Sequence, residues 1–211
     1  MNHDLAFVHR FVASTNVAQT PTFLLLHGTG GNENDLLDLG AQLWPQANLL
    51  SPRGRVLENQ RPRFFRRLEE GVFDTDDLKL QTHALSDFIS QAAIHYGFDA
   101  RNVVALGFSN GANIAASLLL LHPETLRAAI LLRAMVPLEG APHRDLANVP
   151  VLLSSGENDP IVPTENANRL AQMLGQRGAA VSHLWQKAGH NLTNSDLEAA
   201  KNWLQNLKYS G

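Results

Sequence analysis

Val103-Val104-Ala105-Leu106-Gly107-Phe108-Ser109-Asn110-Gly111-Ala112-Asn113-Ile114-Ala115-Ala116-Ser117-Leu118 is the stretch on which the fold turns. Its first part is a continuous apolar run of the kind that forms a strand buried on both faces, and its last part has helical spacing. Between them Gly107-Phe108-Ser109-Asn110-Gly111 fits G-x-S-x-G, a sharp strand-to-helix turn that holds serine in a strained backbone conformation. The neighbours two residues away must be small enough to let the chain pass. The following helix N-terminus would aim backbone N–H groups and a partial positive charge at an oxyanion formed beside Ser109. Alone, the pattern also describes a glycine-bounded turn with a capping serine. The strand before it and the helix after it favour a nucleophile.

Outward from this turn, short apolar runs alternate with helical periods, the pattern of a mostly parallel sheet covered by helices. Strands are expected at 22–27, 48–51, 102–108, 128–132, 149–154 and 181–185. Helices are expected at 82–96, 110–121, 165–176 and 195–207, the last opening on Ser195-Asp196-Leu197-Glu198 with an N-cap and an acidic first turn. Residues 5–12 alternate as an antiparallel edge strand would. No repeat or linker interrupts the series, so one α/β domain over 1–211 is expected.

A serine hydroxyl is a poor nucleophile near neutral pH and needs a general base, which in turn needs an orienting acid. In this arrangement the chain order is serine, acid, histidine. His190, in Lys187-Ala188-Gly189-His190-Asn191, lies between the last strand and the last helix, as that order requires. His83 and His95 come too early. His122 ends the helix after the serine, His143 and His183 read as surface positions, and His27 helps to shape the loop that follows it. For the acid, Asp159 in Gly156-Glu157-Asn158-Asp159-Pro160 sits on a turn just past a buried strand. Glu157 is the nearest rival, whereas Asp145 and Asp196 break the order. The plainer reading of Asp159 is a residue that starts the turn ahead of Pro160. The oxyanion would take N–H groups from Asn110 and from an early loop, His27-Gly28-Thr29-Gly30-Gly31, with Thr29 as the donor. That loop is not a phosphate loop, because neither G-x-x-x-x-G-K-[ST] nor G-x-G-x-x-G is present.

Residues 53–81 offer no clear element, and structureless stretches of that length usually have a task. Arg53, Arg55, Arg61, Arg63, Arg66 and Arg67 fall in this segment, with Phe64 and Phe65 among them and Glu69, Glu70, Asp74, Asp76 and Asp77 after them. The plainer reading is a solvated loop whose charges pair locally, each pair worth little. The sharper one packs the loop at the mouth of the site. Phe64, Phe65 and Phe73 then form a substrate pocket with Met135, and one arginine selects carboxylate-bearing substrates.

Composition narrows the partners. The chain has 211 residues, 44% hydrophobic and 18% charged, with a net charge of −3, which gives no reason to expect nucleic acid or an anionic membrane. It has no cysteine, which excludes disulfides, thiolate catalysis and cysteine-ligated metal. Residues 1–7 lack the basic start and apolar run of a secretory signal, and no apolar stretch reaches the roughly 18 residues of a membrane span. A cytoplasmic location is expected. Asn191-Leu192-Thr193 matches a glycosylation sequon that means nothing without secretion. The oligomeric state is left open, a homodimer included.

With these residues placed, the sequence resembles the phospholipase/carboxylesterase family of α/β-hydrolases, which includes bacterial carboxylesterases and acyl-protein thioesterases. The likeness rests on Leu26-His27-Gly28-Thr29-Gly30-Gly31, Gly107-Phe108-Ser109-Asn110-Gly111, Asp159-Pro160-Ile161-Val162-Pro163 and Gly189-His190, and covers essentially the whole chain. It implies an α/β-hydrolase fold without a large cap domain, catalytic Ser109, Asp159 and His190, oxyanion donors at Thr29 and Asn110, and neither cofactor nor metal. The thioesterases commonly carry glutamine where this chain has Asn110, and residues 51–66 look like the bacterial esterase branch. The implied activity is hydrolysis of small carboxylic esters through an acyl-enzyme. Acyl thioesterase, lysophospholipase and slow ligand-receptor roles are the alternatives.

Overall fold

A computed structural model describes residues 5–207, so the first four residues of the N-terminal reading lie outside it. The chain runs β1 (His9–Val12), β2 (Thr22–Leu26), α1 (Leu37–Leu43), β3 (Asn48–Pro52), then two small hairpins, β4 (Val56–Glu58) with β5 (Arg61–Arg63) and β6 (Arg67–Glu69) with β7 (Val72–Phe73). There follow α2 (Thr75–Tyr96), β8 (Val103–Phe108), α3 (Asn110–Leu121), β9 (Ala128–Leu132), β10 (Pro150–Gly156), α4 (Thr164–Gly175), β11 (Ala180–Gln186) and α5 (Asn194–Asn206).

The central sheet has seven strands in the order β1-β3-β2-β8-β9-β10-β11. All neighbours are parallel except the edge strand β1, which pairs antiparallel with β3, His9 opposite Pro52. The inner strands β2, β8 and β9 are apolar without alternation because both faces are covered. On one face Leu24, Leu26, Ala105 and Leu131 pack beneath α2, α3 and α4; on the other, Phe23, Leu25, Val104, Leu106 and Ile130 pack against α1 and α5. Parallel pairing sends the carboxyl ends of β2 and β8–β11 to one edge of the sheet, where open α/β sheets bind ligands.

The main departure from the sequence reading is at residues 53–81, which are not a loop. Asn59 and Gln60 both have positive φ (49° and 64°), the two-residue turn that matches strand twist and closes β4 onto β5. Glutamine does not announce such a turn. The helix expected to begin at 82 begins at Thr75, where the Asp74 carboxylate caps it by accepting from the Asp77 N–H at 3.1 Å. Its first turn is acidic, which hid the apolar face that starts at Leu78. The short helix α1 was not anticipated.

Candidate active site

Ser109 ends β8 and starts α3 at φ 52°, ψ −114°, a backbone conformation costly to any residue with a side chain. The two glycines of the motif make it feasible. A Cβ on Gly107 would lie 2.4 Å from the Gly111 carbonyl oxygen, and one on Gly111 only 2.0 Å from that of Leu26. The Ser109 N–H donates to Leu132 O (2.9 Å), which fixes the turn to β9 and leaves Oγ free to face the cleft.

His190 lies in the loop between β11 and α5, partly exposed. Its Nε2 is 2.8 Å from Ser109 Oγ and its Nδ1 is 2.8 Å from Asp159 Oδ2. The Asp159 side chain is 1% exposed, and its other oxygen accepts from the Ile161 and Val162 N–H groups (2.8 and 3.0 Å). The aspartate loop and the histidine loop are laced together by the Asn158 N–H, which donates to Ala188 O at 3.0 Å. Glu157, the rival acid, is exposed and does not touch His190. With Asp159 accepting from Nδ1–H, the imidazole presents Nε2 to the serine as an acceptor, the tautomer a general base needs.

The N–H groups of Thr29 and Asn110 have no acceptor among the described residues and belong to residues that line the same cleft as Ser109. The segment after β3 holds both positions in place. Pro62 O accepts from the Gly30 N–H (2.8 Å), Arg63 Nη1 donates to Thr29 Oγ1 (2.8 Å), and the Phe64 N–H donates to Asn110 Oδ1 (2.7 Å). Asn110 Nδ2 is buried without a partner among the described residues. His27 completes the frame: Nδ1 donates to Gly28 O and Nε2 accepts from the Gly54 N–H (3.0 Å), while burial pushes its pKa down.

The cleft, about 280 Å³, takes Phe73 and Met135 into its wall as the sequence suggested. Phe64 and Phe65 do not line it. They are 1% and 0% exposed, Phe64 against the His27 ring and Phe65 edge-on to Phe73 (5.0 Å), because the link between the two hairpins packs their side chains into the main core with residues of α2 and α3 rather than at the mouth. Of the other histidines, His83 and His122 pair with each other on the surface (2.6 Å), and His183 is half-buried against Ser155 rather than on the surface. Among the described residues no group of three or more His, Asp or Glu side chains is set to hold a metal ion, and no helix is long and apolar enough to cross a membrane.

Sequence reasoning missed one pair. Arg133, at the end of β9 and 1% exposed, forms a two-pronged ion pair with Asp196 at 2.8 and 2.8 Å. Its remaining donors go to the carbonyls of Gly189 (3.0 Å), Asn191 (3.0 Å) and Ser154 (3.2 Å), so it grips the chain on both sides of His190. Burial pushes the Asp196 carboxyl up, but hydrogen bonds from Arg133, Ser154 and Thr193 outweigh this and hold it below the usual carboxylate range. Chain order excludes Asp196 as the orienting acid, and a lone arginine after a strand gives no motif to find.

This fold, with a serine at the strand–helix turn hydrogen-bonded to a histidine after the last strand, defines an α/β-hydrolase. Residues 8–208 match the model of the phospholipase/carboxylesterase family, and the chain belongs to that family of hydrolases. It is 50% identical to MhqD of Bacillus subtilis over 180 residues, 85% of this chain and 90% of that protein. Its structure resembles the Bacillus cereus carboxylesterase, with TM-score 0.93 and 44% identity over 96% of this chain and 95% of that one. It also resembles YahD, solved with malic acid, with TM-score 0.91 and 31% identity over 96% and 100% of the two chains.

Proposed function

We propose that the chain is a serine carboxylesterase that hydrolyses small carboxylic esters through an acyl-enzyme on Ser109. The observation that carries this reading is the position of His190, with one ring nitrogen 2.8 Å from Ser109 Oγ and the other 2.8 Å from the buried Asp159 carboxylate. His190 takes the hydroxyl proton as Ser109 attacks the ester carbonyl. The tetrahedral oxyanion lies against the N–H groups of Thr29 and Asn110, aided by the positive end of α3. His190 then gives the proton to the leaving alcohol. Water repeats the sequence on the acyl-enzyme, with Asp159 stabilising the imidazolium in each half. The modest cleft, and the malic acid present with YahD, support a small polar substrate rather than a long lipid chain.

A fluorophosphonate should label Ser109, and the chain should turn over short-chain esters faster than long-chain esters or acyl thioesters. Ser109→Ala should abolish labelling and leave at most a small residual rate. Asp159→Asn should lower kcat by about 10⁴-fold, as in other triads. Near-normal ester hydrolysis by Ser109→Ala would end this reading.

A further inference from the structure

The hairpin residues that brace the oxyanion loop also give the cleft an uneven charge. Arg61, Arg63 and Arg67 all line it together with Ser109 and His190, against one carboxylate in the lining, that of Glu70. Glu58 is the carboxylate that serves two of them, at 3.2 Å from Arg63 and 2.9 Å from Arg67. Arg61 pairs with no carboxylate among the described residues. Its guanidinium lies against the backbone of Gly30, so close that a Cβ there would sit 2.7 Å from Nε, and its one hydrogen bond is a long one to Thr29 O (3.4 Å). Arg63 is 3% exposed; Nε donates to Phe65 O and Nη1 to Thr29 Oγ1 and Glu58, while Nη2 has no partner among the described residues. Burial, with the charge of Arg67 beside it, disfavours the charged form of Arg63, a cost that an incoming anion would relieve. The fourth arginine of the cleft, Arg133, is neutralised by Asp196 and contributes no free charge. The facing wall, from Phe73, Met135, Ile161 and Val162, is mainly apolar.

We propose that Arg61 and Arg63 form an anion subsite, and that the preferred substrates are small esters bearing a free carboxylate. The inference rests on the esterase reading of Ser109 and adds the substrate class. The guanidinium fork suits a carboxylate, the apolar wall takes the short carbon chain, and the ester carbonyl falls between them at Ser109. Arg61 supplies the unpaired charge. Arg63 supplies a pre-positioned donor, already fixed by its bond to Thr29.

The test compares two shape-matched pairs, one with the acid on the acyl side (monomethyl succinate against methyl 4-methylpentanoate) and one with it on the alcohol side (3-acetoxybenzoate against 3-isopropylphenyl acetate). At least one acid-bearing member should exceed its neutral partner in kcat/KM by roughly tenfold, the scale of one charge-assisted hydrogen bond near solvent. That ratio should collapse toward unity in Arg61→Ala and Arg61→Gln, and should fall with added salt in the parent chain. Arg61 is exposed, so neither variant threatens the fold. Neutral preference in both pairs, or an acid preference that survives both substitutions, would overturn the subsite while leaving the esterase intact. No turnover of any of the four esters, with no fluorophosphonate labelling of Ser109, would overturn the esterase reading and the subsite with it.

Discussion

Asn110 does two things with one residue. Its backbone N–H, which has no acceptor among the described residues, is the proposed oxyanion donor, and its side-chain oxygen takes the buried Phe64 N–H at 2.7 Å. Asn110→Ala keeps the first and removes the second. The expected result is a loss of about 1–3 kcal/mol in urea unfolding, the cost of a buried donor left unpaired. The fall in kcat should be far smaller than that of Ser109→Ala. His27 carries the pH dependence at this scale. Its pKa is lowered in the fold from 6.5, mainly by burial, so the unfolded chain binds more protons at mildly acid pH. The stability it contributes is therefore present above about pH 6.5 and is lost as pH falls through the lower folded value. Protonation also turns Nε2 from acceptor to donor against the Gly54 N–H, which is itself a donor. The urea midpoint should drop on acidification below that point, and His27→Gln should flatten the drop. The role of His27 in shaping its loop could be read from its place beside Gly28. Its partner Gly54 could not, since nothing in the sequence links residues 27 apart.

At the scale of elements, the regular alternation was legible because each inner strand is buried on both faces and so reads as an unbroken apolar run. The helix after the serine has the bounds expected of it. The hairpins were hidden because β4–β7 are two or three residues long and carry arginine and glutamate, so they show no period. Their folding comes from turn geometry and from long-range partners such as Thr29 and Asn110. Turn chemistry gives the prediction here. Gln60 occupies φ 64°, which costs a residue with a side chain roughly 1–2 kcal/mol. Gln60→Gly gives part of this back to the greater freedom of glycine when unfolded. A net gain of about 0.5–1 kcal/mol should appear as a raised melting temperature.

Over the whole molecule, the segments that follow six strands of one sheet, β2, β3 and β8–β11, converge on the cleft. The three side chains in hydrogen-bond contact there stand 81 and 31 residues apart along the chain. Serine, aspartate and histidine could be ordered from sequence because each follows its own strand. The Arg133–Asp196 pair could not, because it joins residues 63 apart that belong to no motif. This pair ties β9, the His190 loop and α5 into one body. Asp196→Ala leaves a buried guanidinium uncompensated and should cost about 3–5 kcal/mol. Arg133→Lys keeps a charge but loses the fork that holds Gly189 and Asn191. It should lower kcat by up to about 100-fold with KM little changed, since a misplacement of about 1 Å costs that much. Steady-state kinetics well below the melting temperature separate that effect from unfolding.

Asp196 stands in α5, the last element of the chain described, and this bears on the order in which the molecule comes into being. During synthesis the serine, its strand and the aspartate loop are all made before the residue that neutralises Arg133. Until α5 docks, the guanidinium that holds Gly189 and Asn191 lacks its counter-charge, and the loop bearing His190 keeps only its ties to the aspartate loop. Ester hydrolysis by a growing chain should therefore come late, after α5 has docked.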